Sequence, residues 1–341
     1  MKVLIIRFSS IGDIVLCTPI IRALKEQKNA CVHFLCKKSF ASVLNHNPHI
    51  DKVFHWDKKE SNTLLEKLKL EEYDYVIDLH SNLRSKRVRL ALGVPNYCLD
   101  KINVAKWLRV NLGLDILPSR HIVDREWDVV APLDIVPDGK GLDFEIPKEV
   151  YVALKEAWPK DLHRQPMVAL VVGAAHQTKQ IPNGLLLDFI RGLDSYRIAL
   201  LGGPSDLEKA SKVEGLNGNK ENVKNFCGQL SLTESAYVLK KADVVITSDT
   251  GLMHISAAFE KTICTIWGNT IPEFGMYPYL PKETEGKFKN FEVEHLDCRP
   301  CSKIGFDACP KGHFRCMKDQ NSEEVLNFVK GHLKTDFMTD F

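Results

Sequence analysis

Short apolar runs recur along the chain, separated by longer segments whose apolar positions repeat at helical spacing. The runs 2–8, 31–36, 52–56 and 75–79 predict strands. The stretches 39–45 and 63–69 predict helices between them, and a further helix starts near Asn82. The first strand leads into Ser9-Ser10-Ile11-Gly12-Asp13 and then a helix to about residue 27, with Ile14, Cys17, Ile21 and Leu24 on one face. Pro19 lies inside that helix. It cannot bond to the Val15 carbonyl, so a kink is expected there.

The stretches 132–147 and 158–166 turn rich in Pro, Gly and Asp, which marks a domain boundary in this region. The pattern then restarts. Strands are expected at 167–172, 197–201, 244–246 and 262–267, with helices at 184–193, 232–241 and 252–259. Strands alternating with helices mean parallel sheets with crossover helices. The fold class is therefore α/β, with two doubly wound, Rossmann-like domains at 1–160 and 166–320. A C-terminal helix and tail occupy 321–341, the helix opened by the capping signal Asn321-x-x-Glu324. Such sheets bind ligands beyond the carboxyl ends of their strands, so two of them facing each other form a cleft.

With 341 residues the chain is long enough for two cores, and 44% hydrophobic with 26% charged residues is ordinary for a globular protein. A net charge of only +2 gives no bulk attraction to nucleic acid, and none is expected as a partner. The opening apolar run is interrupted by Arg7 and does not read as a signal peptide, and no stretch is long enough to span a bilayer. A cytoplasmic protein is expected, at most peripheral on the inner face of the cytoplasmic membrane. Of ten cysteines, six are scattered in apolar surroundings and read as small buried hydrophobes.

Candidate chemistry clusters at strand ends. In Ser248-Asp249-Thr250-Gly251-Leu252-Met253-His254 a buried strand hands over to a helix. Ser248 and Asp249 are good N-cap residues, and Gly251 allows close approach of a ligand to the backbone. The first-turn amides and positive dipole end suit a phosphate, with His254 one turn along. The plain alternative is a capped helix with His254 in the core. Asp13 stands at the first strand-to-helix junction, where a carboxylate can take a proton from a hydroxyl or simply cap the helix. Lys179, in the loop after 167–172, offers a point charge to an anion. Gly202-Gly203-Pro204-Ser205-Asp206 is a turn able to line a base or ribose.

Taken together, these segments resemble the lipopolysaccharide heptosyltransferases, glycosyltransferase family 9. The run Lys-Val-Leu-Ile-Ile-Arg-Phe-Ser-Ser-Ile-Gly-Asp-Ile-Val, followed by Thr18-Pro19, is similar to the family's first signature, and 248–254 to its second. The loop with Lys179 and Pro182 falls where the family has a Lys-x-aromatic-Pro motif. The resemblance implies a GT-B fold and inverting transfer of heptose from ADP-heptose to the inner core of lipopolysaccharide. It implies Asp13 as general base, Lys179, Thr250 and Gly251 as holders of the donor diphosphate, and Asp249 and His254 as further donor-site positions. The family's hydroxyl residues five and four positions before the lysine are here Ala174 and Ala175, and its aromatic is Ile181. Thr178 is the hydroxyl expected to stand in for them. No cofactor is expected, since the ADP-sugar is a substrate and no Asp-x-Asp pair occurs in the chain.

Two clusters remain. Arg84, Lys86 and Arg87, with Arg120 further on, concentrate positive charge in the first half and are expected to hold an anionic acceptor. Each is equally readable as a solvated charge. Cys298-x-x-Cys301, Cys309 and Cys316 have spacing compatible with structural zinc, or with reduced thiols or a labile disulfide. Competing functions are a transferase of the same build using another nucleotide sugar, and a non-catalytic sugar-nucleotide binder.

Overall fold

The computed structural model describes residues 1–333; the end of the expected tail, 334–341, lies outside the described residues. Two all-parallel sheets carry the fold. The first is built from β1 (Lys2–Ile6), β2 (Cys31–Lys37), β3 (Lys52–Trp56), β4 (Tyr75–Asp78) and β5 (Asn96–Cys98), in the order β3-β2-β1-β4-β5. The second contains β6 (Met167–Val171), β7 (Arg197–Leu201), β8 (Val223–Asn225), β9 (Val244–Ser248), β10 (Thr262–Trp267) and β11 (Phe288–Glu292), in the order β11-β10-β9-β6-β7-β8. This is the α/β arrangement of two doubly wound sheets facing across a cleft.

The period-2 geometry of the strands splits each sheet's side chains between two cores. In β1, Val3 and Ile5 join one apolar cluster, and Leu4 and Ile6 the other. In β6, Met167, Ala169 and Val171 face the first of those clusters, while Val168 and Leu170 face a third. One core is thus continuous between the two sheets. The chain crosses over it: the Phe144 ring lies 6.1 Å from Phe259, Tyr151 5.9 Å from Tyr237, and the Trp158 indole donates to the Asn222 carbonyl at 2.9 Å. The C-terminal helix Ser322–His332 buries Val325 and Val329 against the second sheet's outer core.

The expected kink at Pro19 is a break instead. One helix ends at Leu16 and the next, Thr18–Lys28, begins with Pro19 in its first turn, where a missing N–H costs nothing. The Cys17 N–H bonds to the Ile14 carbonyl at 3.1 Å and the Thr18 hydroxyl to the Val15 carbonyl at 2.7 Å. No helix among the described residues is long and apolar enough to cross a membrane.

Candidate active site

The carboxyl ends of both sheets converge on a cleft of about 920 Å³. From the first sheet come Arg7, Ser10, Gly12, Asp13, His80, Lys101 and Lys106. From the second come the loops after β6 (173–176 and Lys179), β7 (202–206) and β9 (Asp249–His254), with Thr270 after β10.

Asp13 lies in the first turn of the helix Ile11–Leu16, and one carboxylate oxygen accepts from the Ser10 N–H at 2.9 Å and the Ser10 hydroxyl at 2.8 Å. The other oxygen meets the Arg7 guanidinium, which also bonds to the Leu79 and Ser9 carbonyls. Burial alone would push Asp13 up. Arg7, the Ser10 donors and nearby His254 outweigh it and hold the carboxyl at about 2. Asp13 is therefore a carboxylate throughout the physiological range, oriented from two sides. Arg7 is 5% exposed and stays charged. Behind it lies Glu126, fully buried and pushed up to about 8 by burial, with one oxygen lacking a hydrogen-bond partner and the other 3.7 Å from the Cys17 thiol. His80 is held neutral, at about 3, by burial and by the charges of Arg7 and Lys101.

On the opposite wall Thr250, rather than Ser248 or Asp249, caps the helix Gly251–Ala258, accepting from the Met253 N–H at 3.4 Å. The first amides of that turn have no carbonyl partner within the helix. The Lys179 ammonium meets Asp249 at 2.5 Å, and Asp249 also accepts from the Thr270 hydroxyl at 3.2 Å. The two walls touch at a pair of glycines. A Cβ on Gly12 would sit 2.5 Å from His254 Cδ2, and one on Gly251 would sit 2.8 Å from Ile11 Cβ. His254, neutral at about 4 because it is buried, is thus pressed against the helix that carries Asp13. Asp206 fills the adjoining floor. It accepts from the Gly203 N–H at 2.8 Å, and its carboxyl occupies the space that a Cβ on Gly173 would need.

Asp13, Lys179, Asp249, Thr250, Gly251 and His254 thus share one cleft, but other expected residues do not. Thr178 is buried and turned away; its hydroxyl accepts from the Phe306 N–H at 2.8 Å and so anchors the Cys-rich segment. Arg84, Lys86, Arg87 and Arg120 do not line the cleft. Arg84 sits over the Phe8 ring, Lys86 is exposed, and Arg87 reaches Asn62 at 2.6 Å. Arg120 is paired with Asp128 at 2.7 Å. The basic side chains that do reach the cleft from the first sheet, besides Arg7, are Lys101 and Lys106, in and just before the helix Asn103–Leu112. The four-thiolate zinc site that the cysteine spacing allows, beside reduced thiols or a disulfide, is not assembled. Cys298, Cys301, Cys309 and Cys316 are all free, and no group of three or more metal-binding side chains is arranged around an ion site among the described residues. The segment is held by Arg299 instead, bonded to the Gly268 and Thr270 carbonyls and to Glu292 at 2.6, 3.0 and 2.7 Å.

Residues 62–304 match the family model of glycosyltransferase family 9 (heptosyltransferase). The lipopolysaccharide heptosyltransferase 1 of Campylobacter coli is 25% identical over 97% of this chain and 98% of its own length. A glycosyl transferase family 9 structure from Veillonella parvula superposes with a TM-score of 0.76 at 20% identity, covering 97% of this chain and 96% of that one. The E. coli ADP-heptose lps heptosyltransferase II gives a TM-score of 0.72 at 16% identity, over 97% and 98%. The two sheets, the cleft and the match over most of the chain lead to one conclusion: this protein belongs to glycosyltransferase family 9, the heptosyltransferases.

Proposed function

We propose that the chain transfers heptose from ADP-heptose to the inner core of lipopolysaccharide with inversion at the anomeric carbon. The observation that carries this reading is an ionised, doubly oriented Asp13 on one wall of the cleft, with Lys179 and the Thr250-capped helix tip on the other. The C-terminal domain, 166–320, holds the donor. The N-terminal domain, 1–160, receives the acceptor, and the protein works in the cytoplasm on the inner face of the membrane.

The donor diphosphate takes the first-turn amides of the helix Gly251–Ala258, with Lys179 as its counter-charge. The acceptor hydroxyl gives its proton to Asp13 while its oxygen attacks the anomeric carbon. The bond from that carbon to the β-phosphate oxygen breaks, and ADP leaves with the electron pair. Lys179 and the amides meet the charge that develops on the leaving group and are already in place. A base of such low pKa is suited to a late proton transfer, when the hydroxyl has become acidic through bonding to the sugar. Lys101 and Lys106 take the acceptor's anionic groups in place of the arginine cluster. Burial lowers Lys106 to about 8, and its ammonium lies over the Phe274 ring.

The test is ADP release from ADP-heptose with deacylated lipopolysaccharide core, against GDP- and UDP-sugars as controls. Asp13→Asn is expected to lower turnover by about 10²–10⁴-fold with donor binding kept. Lys179→Ala is expected to weaken donor binding and turnover together. Saturable donor binding without ADP release under any acceptor would leave a sugar-nucleotide binder instead.

A further inference from the structure

The cysteine-rich segment after β11 reaches across the cleft. Lys303 and Ile304 line the cleft wall, and the Lys303 ammonium donates to the Asn103 side chain at 3.2 Å. Asn103 opens the helix Asn103–Leu112 on the side of the first sheet. Lys106 stands one turn along on the same face, and Lys101 lies two residues before the helix. Three ammoniums thus gather at one place, two from one side of the cleft and one from the other. Burial is the main cause that lowers Lys101 and Lys106, and the charge of Lys303 adds to it in both. The carboxylates that act against this lowering are already bonded, Asp13 to Arg7 and Asp78 to Arg89 at 2.9 Å. The helix opens with Ile102 at its N-cap and no side-chain cap, so its positive end adds to the same charge. Like charges held this close repel unless a ligand brings the counter-charge.

We propose that Lys303, together with Lys101 and Lys106, holds a doubly charged oxyanion of the acceptor and so helps to set acceptor specificity. This rests on the transferase reading, in which Lys179 and the tip of the helix Gly251–Ala258 take the donor diphosphate and leave these three ammoniums to the second substrate. A single carboxylate leaves two of the three charges unmatched. A phosphate monoester, which carries close to two charges at neutral pH, or two carboxylates on neighbouring sugars, comes nearer to balance. The anion is gripped from both sides of the cleft at once, because Lys303 arrives from the side of the second sheet. Its segment is fixed in place for this. The Ser302 hydroxyl accepts from the Ile304 and Gly305 N–H groups, each at 3.0 Å, and the Phe306 N–H donates to Thr178, the residue before Lys179, at 2.8 Å. The cysteine-rich segment thereby takes a part in substrate recognition that needs no metal.

The experiment measures acceptor and donor KM for ADP release with deacylated core, and binding of the same core by calorimetry with ADP present. Lys303→Ala and Lys303→Gln change an exposed side chain and should leave the fold intact. Both are expected to raise the acceptor KM about tenfold with the donor KM unmoved. The Gln variant keeps a donor for Asn103 and loses only the charge; Lys303→Arg keeps the charge and should recover most of the affinity. Core treated with phosphatase, and core with its carboxyls reduced, locate the group: on the core that lacks it, wild type and variants have equal KM. A difference that survives both treatments together overturns the proposal. So does a wild-type acceptor KM in Lys303→Gln, or a rise in donor KM as large as that for the acceptor, which places Lys303 on the diphosphate instead. Core binding that depends on Lys303 in a protein that releases no ADP keeps the site and removes the transferase reading. ADP release with an acceptor KM indifferent to Lys303 does the reverse.

Discussion

Replacing Arg7 by methionine keeps the aliphatic stem and removes the charge that holds Asp13 ionised. The guanidinium is 5% exposed, and Asp13 stands at about 2 because Arg7, Ser10 and His254 outweigh the penalty of burial. Losing a neighbouring opposite charge raises a carboxyl by about 1–3 units. Asp13 in the variant should therefore titrate at about pH 3–5, towards the upper end because burial is then less opposed. The sign follows from the base needing to be ionised. In the wild type, kcat/KM for ADP release stays flat with falling pH for as long as the fold survives. In Arg7→Met an acid limb enters the measurable range, and activity falls as pH drops through it. Breaking a buried pair also costs about 3–5 kcal/mol of stability, so each point needs a check that the protein is folded. Arg7→Lys, which keeps the charge, should move the limb back down. An acid limb at the same pH in wild type and Arg7→Met would show that Asp13 is not the titrating base, or that Arg7 does not set its ionisation.

Two further tests address the contact between the sheets and the buried acid behind it. Gly12→Ala puts a methyl 2.5 Å from His254 Cδ2. It should lower stability by about 1–3 kcal/mol, read from the thermal midpoint, and lower kcat, because Asp13 is the next residue. Gly184→Ala, which meets nothing within 4 Å, is the neutral control. Glu126, at about 8 in the fold, binds a proton that the unfolded chain releases near the ordinary carboxyl value. Its contribution is thus largest below the unfolded pKa and is lost as pH rises towards 8, at about 1.4 kcal/mol per pH unit while the proton is bound only in the fold. Glu126→Gln should flatten the fall in thermal midpoint between pH 5 and 8; an unchanged slope would place the titration elsewhere.

The central strands were legible because they are buried on both faces and read as continuous β-branched runs, as in Val244–Ser248. Of the edge strands, Lys52–Trp56 was read but the others were not. Asn96–Cys98 and Val223–Asn225 have three residues each and are partly exposed, so neither alternation nor continuity marks them. The helix Asn103–Leu112 was missed for a related reason: no core reads its face. Pro19 misled because local spacing cannot separate one kinked helix from two helices that meet at Cys17.

The cleft residues of the second sheet were legible for a topological reason. Asp249 to His254 directly follow a readable strand, so their place at its carboxyl end follows once the strand is known. The arginines at 84 and 87 also follow a strand, but the Asn82 cap turns that helix at once, and their side chains leave the cleft for Phe8 and Asn62. Charge density in a sequence therefore says that a face is basic without saying which way it looks. Thr178 makes the same point in miniature. One residue from Lys179, it turns the other way, because the short helix Gln177–Lys179 rotates consecutive side chains apart. Its hydroxyl is spent on Phe306, 128 residues on, which no local pattern could announce. Position relative to a strand end is readable from a sequence; the direction of a side chain depends on tertiary partners.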